Sequence, residues 1–138
     1  MTKKVASCMG PGSHGSTFGG NPLAMSVGNA VLDKILKKGF LKSVQVISKY
    51  FHSELNKLQS EFPSIIKEVR GLGLLTGVKI TPDQNLFIKK LTDNRLLTIR
   101  AAENVIRLLP PLNVKKENID EAIAILKKVC KNFKWKIF

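Results

Sequence analysis

Between residues 44 and 80 the chain changes its apolar period, and this change restricts the fold more than any other feature. Val44, Ile47, Phe51, Leu55, Leu58 and Phe62 alternate steps of three and four, the spacing of one face of an α-helix. The spacing predicts a helix over 40–61, and Pro63 ends it because proline disfavours helical backbone in the residue before it. From Ile65 to Ile80 the apolar residues crowd together, punctuated by Gly71, Gly73 and Gly77. That pattern predicts two short strands around a glycine turn. A long helix with one apolar face, followed by a hairpin, predicts a sheet with helical cover.

The remaining elements fit around this unit. Residues 1–20 are rich in Gly, Ser and Pro and show no helical period. Asn21-Pro22 reads as an N-cap followed by proline at the first helical position. Leu23, Val27, Val31 and Ile35 then form one stripe, and Gly39 stops that helix after Lys37-Lys38, which suit a helix C-terminus. A short helix is expected over 84–93. Strands are expected at Leu96–Ile99 and Val105–Leu108, joined as a hairpin through Arg100–Asn104. A last helix is expected over 117–133, with Ile119, Ile123, Leu126, Cys130 and Phe133 on one face. The order of elements predicts an α+β fold, a small antiparallel-rich sheet with helices on one face.

Composition removes several function classes. At 138 residues the chain is one domain's worth of sequence, long enough to bury a core. No apolar run approaches the length of a membrane span, and no signal-peptide stretch follows Lys3-Lys4, so the expected location is cytoplasmic. Cys8 and Cys130 are far apart and read as free thiols. His14 and His52 have no metal-ligand spacing around them, so no metal is expected. The net charge of +13 raises the alternative of a basic module for nucleic acid or another polyanion. The excess is mostly lysine spread along the chain, which reads instead as a solvated surface.

Two segments carry chemistry. Gly10 to Pro22 joins a glycine-rich loop with two hydroxyls, Ser16 and Thr17, to a helix N-terminus, a combination that favours phosphate. A tight turn capping a helix would use the same residues. Gly10–Thr17 approaches the nucleotide P-loop, but Ser16 stands where its lysine belongs. In the second segment, Asn104 to Asn113, Arg107 lies within an apolar strand before Pro110-Pro111. A guanidinium buried there needs an anion, either a ligand carboxylate held bidentately or a structural ion pair. Arg70-Gly-Leu-Gly-Leu-Leu-Thr-Gly77 lacks dinucleotide-binding spacing and reads as turn and strand glycines, with Arg70 as an ion-pairing residue. His14 reads as a loop-shaping residue, not as a base for Ser16.

Taken together and in this order, three segments resemble the class III pyridoxal-phosphate-dependent aminotransferases. His14-Gly-Ser-Thr-Phe-Gly-Gly-Asn-Pro-Leu-Ala24 is similar to the segment that follows the family's cofactor-anchoring lysine. Arg70-Gly-Leu-Gly-Leu-Leu75 is similar to its small-domain strand pair. Asn104-Val-Ile-Arg-Leu-Leu-Pro-Pro-Leu112 is similar to its strand ending in a substrate-binding arginine. The resemblance is nearest to the branch acting on acetylornithine in arginine biosynthesis, with branches acting on succinyldiaminopimelate, ornithine or 4-aminobutyrate beside it.

The resemblance implies residues 1–20 as the tail of the large cofactor-binding domain. It implies residues 21–138 as a linking helix and the C-terminal small domain of a fold type I enzyme. It implies that Ser16 and Thr17 contact the phosphate of pyridoxal phosphate in a neighbouring subunit. It implies that Arg107 holds the α-carboxylate of glutamate or 2-oxoglutarate. The family's cofactor-anchoring lysine lies upstream of these motifs, so no catalytic residue is expected here. Pyridoxal phosphate would bind only together with the large domain, and activity would require a homodimer or a complementing upstream chain.

Overall fold

In the computed structural model residues 1–133 are described. The elements run α1 (Lys3–Ala6), α2 (Pro22–Leu36), α3 (Phe40–Glu61), β1 (Ile66–Leu72), β2 (Leu75–Ile80), α4 (Gln84–Asp93), β3 (Ile99–Ala101), β4 (Val105–Leu108) and α5 (Lys116–Asn132). The chain forms two compact units, Met1–Phe40 and the remainder from Leu41.

In the first unit, α2 begins as its sequence dictates. Asn21 Oδ1 accepts from the Ala24 amide at 3.0 Å and Pro22 occupies the first turn. None of its residues is buried, and Leu23, Val27 and Val31 are exposed. The N-terminal stretch expected to be loop contains one helical turn, α1, where the Thr2 side chain accepts from the Val5 amide. Four residues carry no apolar period, which is why it escaped the pattern.

In the second unit the sheet order is β1-β2-β4-β3, antiparallel throughout. Side chains alternate across its two faces. Ile66, Val78, Ile80, Ile106 and Leu108 turn inward and meet Phe51, Leu55 and Leu58 of α3, Phe87 and Leu91 of α4, and Ile119, Leu126, Val129 and Cys130 of α5. The helices therefore cover one face, as the element order predicts. The stripe of α3 is buried because it lies on this sheet. Cys130 sits inside the cluster, and burial, with Glu61 nearby, pushes its thiol up to about 12, leaving it an inert core side chain. Tyr50 donates to Asp120, whose carboxyl this bond holds below its usual range, and Lys127 pairs with Glu61 at 2.7 Å, so α3 and α5 are also tied at their rims.

Two details differ from expectation. Leu96–Thr98 is not strand; β3 starts at Ile99, and the hairpin connection shortens to Ala102–Asn104. Glu103 and Asn104 take positive φ values of 61° and 60°, a conformation asparagine tolerates and glutamate rarely adopts. The Asn104 side chain donates to the Ile80 and Pro82 carbonyls, and Gln84 donates to the Ala101 and Val105 carbonyls, so polar side chains fix this turn from two sides.

The β1–β2 turn is held differently. Leu72 pairs with Leu75, leaving Gly73-Leu74 as a two-residue connection, and Gly73 takes φ +62° at its first position. The type II′ turns common in tight hairpins place glycine there. Ser48 on α3 donates to the Gly73 carbonyl at 2.8 Å, and His52 Nε2 lies 3.0 Å from the same oxygen. Leu74 is thereby tucked into the core while Leu72 stays exposed.

Candidate substrate-carboxylate and phosphate-contact residues

Arg107 lies on β4 facing Gly77 of β2 and Ile99 of β3, and Gly77 also faces Arg70 of β1. One row therefore crosses the sheet as Arg70, Gly77, Arg107 and Ile99. It lies on the face opposite the helices. Arg107 is exposed, which corrects the premise that the apolar strand buries it. Its neighbours Ile106 and Leu108 take the inward positions, so alternation puts the guanidinium outside. Among the described residues no carboxylate lies within ion-pair distance of it. The anion is not forced by burial; the charge is simply free.

Gly77 makes room on this face for neighbouring side chains. A Cβ there would come within 2.9 Å of Val105 Cγ1 and meet Arg70 Cγ at 3.8 Å. Val105, next to Arg107, is buried over the glycine. Arg70 is ion-paired, with Glu103 at 3.1 Å and Glu68 at 3.6 Å, as its sequence context led one to expect.

Ser16 and Thr17 lie in the first unit, on a turn between Gly10 and α2 where Gly19 N–H donates to the Ser16 carbonyl at 3.3 Å. Both residues are exposed, and among the described residues neither hydroxyl has a protein partner. Two free hydroxyl donors fit one side of a phosphate. The helix terminus itself contributes less than its position promised. Asn21 already occupies the Ala24 amide and Pro22 has no N–H, so Leu23 is left to offer one. The fit to pyridoxal phosphate thus rests on the hydroxyls, not on a helix-end cradle. His14 is exposed in the same loop. Among the described residues no cluster of His, Cys, Asp or Glu could hold a metal ion, and no helix is long and apolar enough to cross a membrane.

Sequence reading missed the ring of polar contacts around the Gly73 carbonyl. Ser48 and His52 stand four apart on α3, one helical turn, which would have been the available signal.

The antiparallel sheet with helices on one face is consistent with a domain of the fold type I pyridoxal-phosphate enzymes, whose solved aminotransferases it matches. The acetylornithine aminotransferase structure from Elizabethkingia anophelis superposes with TM-score 0.77 at 34% identity, covering 94% of this chain and 33% of that one. The ornithine aminotransferase of Plasmodium yoelii gives TM-score 0.79 at 32% identity, over 94% and 35%. The family profile described as aminotransferase class-III matches residues 1–130. Acetylornithine aminotransferase 2 of Caulobacter vibrioides is 46% identical over 129 residues, 94% of this chain and 32% of its own length. The chain belongs to the class III aminotransferase family, and it spans about a third of the length of the curated relatives it matches.

Proposed function

We propose that this chain supplies two half-sites to an acetylornithine-type aminotransferase: Arg107 for a substrate carboxylate, and Ser16 with Thr17 for the cofactor phosphate of a neighbouring subunit. Pyridoxal phosphate, when bound, supplies the electron sink for exchanging an amino group with 2-oxoglutarate. The chain's own residues bind and orient. The observation that carries the assignment is an unpaired, exposed arginine beside a glycine on the helix-free sheet face, within a chain of this family. A guanidinium offers two parallel N–H donors to a carboxylate, fixing its position and plane. The Caulobacter and Elizabethkingia relatives named above support acetylornithine as the amino donor. The remaining two-thirds of a family member would bring the cofactor-anchoring lysine, and catalysis is assigned to the assembled enzyme in a cytoplasmic dimer.

The test places residues 1–130 in a chimera, in place of the matching third of the Caulobacter relative. Arg107→Ala there will raise KM for 2-oxoglutarate about 10- to 100-fold, the worth of a charged hydrogen bond, with cofactor content unchanged. Thr17→Ala will act on the other half-site. It will raise the cofactor dissociation constant about 10-fold, read by titrating apoenzyme with pyridoxal phosphate, and leave the 2-oxoglutarate KM of the saturated enzyme near its original value. Either variant behaving like the parent removes its assignment.

A further inference from the structure

The helix-free face carries three cations, Arg70, Lys79 and Arg107, against Glu68, with Glu103 at its hairpin end. Arg70 and Arg107 start from the same row, on either side of Gly77. Two strand spacings separate them, roughly 10 Å between backbones. Left to itself, the Arg70 guanidinium could reach past Val105, whose Cγ1 packs over Gly77, and join Arg107 on one ligand, because glycine adds no side chain of its own in between. It does not. Glu68 pairs across β1–β2 with Lys79, one step closer to the β3–β4 turn, and Glu103 lies in that turn beyond Val105. Both carboxylates draw the Arg70 guanidinium toward the turn, away from the Arg107 row. The contacts are 3.1 Å to Glu103 and 3.6 Å to Glu68. Glu103 holds this position at φ +61°, a conformation that costs energy for a residue with a side chain. The pair itself is exposed, with Arg70 at 46% and Glu103 at 61%, so it does little for folding.

We propose that Glu103, acting through Arg70, sets this face to take one carboxylate instead of two. Glu103 is a specificity-determining residue that never touches the ligand. With Arg70 withdrawn, a dicarboxylate is gripped at one end by Arg107, and its second carboxylate remains available to groups outside this face. This rests on the assignment of Arg107 to a carboxylate.

The experiment uses the full chain, labelled with nitrogen-15 and titrated separately with glutarate, a dicarboxylate, and butanoate, a monocarboxylate. The amide resonances of Gly77 and Arg107 are followed. The parent chain will bind the two with similar weak affinity. Glu103→Gln, and more fully Glu68→Gln with Glu103→Gln, will release Arg70 and tighten glutarate about 3- to 10-fold, the worth of one added hydrogen-bonded contact, with butanoate nearly unchanged. Adding Arg70→Ala to the double variant will abolish that gain, and Glu103→Asp will keep the parent ratio. An unchanged glutarate-to-butanoate ratio in the released variants overturns the role of Glu103. Binding that does not involve Arg107 is a separate failure: if Arg107→Ala binds both ligands as the parent does, or the parent binds neither, the assignment of Arg107 falls, and the Glu103 proposal with it.

Discussion

Gly71→Ala will cost the second unit about 3–5 kcal/mol of stability, a large share of what a domain this size possesses. Gly71 sits at φ +141°, where residues with a Cβ are strained. The added methyl would overlap the Leu75 carbonyl oxygen and lie 2.9 Å from Thr76 Cα. Both are backbone atoms of the paired strand and cannot rotate away. Gly71 also pairs with Thr76 in the ladder, so relief requires breaking the hairpin end that Ser48 and His52 hold on α3. The neighbouring Gly73 is the control. Its φ of +62° is left-handed too, but a Cβ there meets nothing within 4 Å. Gly73→Ala should therefore cost only about 1–2 kcal/mol, the left-handed penalty alone. Urea unfolding of both variants compares steric overlap with backbone conformation two residues apart. Equal losses would mean that the close approach of β1 and β2 at Gly71 is not what the turn depends on.

Phe87→Ala is the second large effect, about 3–5 kcal/mol from lost burial and an unfilled cavity. Phe87 is fully buried, and its ring lies 5.4 Å from that of Phe133. It joins α4 to the end of α5 and to the sheet, three elements that cannot all close in on the space. Leu97→Ala removes a comparable side chain that is 82% exposed and should change stability by less than about 0.5 kcal/mol. Denaturation midpoints at constant slope are the measurement. A Phe87→Ala loss as small as that of Leu97→Ala would show that α4 does not pack as described.

How legible this was from sequence depends on the range of the interaction responsible. The apolar period of 44–62, the Asn21-Pro22 cap, the Gly71–Gly73 turn and the stripe of α5 are local signals, and each yields its element in the structure. β3 is the weak case. Leu96 and Leu97 look like strand, but Arg95 takes φ +67° and the Leu96 amide returns to the Leu91 carbonyl, so this stretch completes the α4 terminus before the strand begins. A helix end competes for those backbone groups with a three-residue edge strand, and nothing in composition marks which prevails.

The arginine shows the limit most clearly. Its residue type, its neighbours and the prolines after it were all in the sequence, together with a family resemblance that the matching relatives bear out. Its environment was not. An apolar strand reads as buried on both sides until a sheet shows which side the helices occupy. Val105 is apolar on the open side because Gly77 gives it a place to pack, and that glycine is nearly thirty residues away.

Local spacing thus determined the helices from α2 to α5 and the Gly71–Gly73 turn, because capping, periodicity and glycine turns act within a few residues, while the family was legible only as a resemblance carried by three motifs. The tertiary structure alone decided that Arg107 is exposed and unpaired and that Arg70 is drawn off by Glu68 and Glu103. Each of those outcomes depends on which groups come within a few ångströms once the strands are registered and the helices have taken one face.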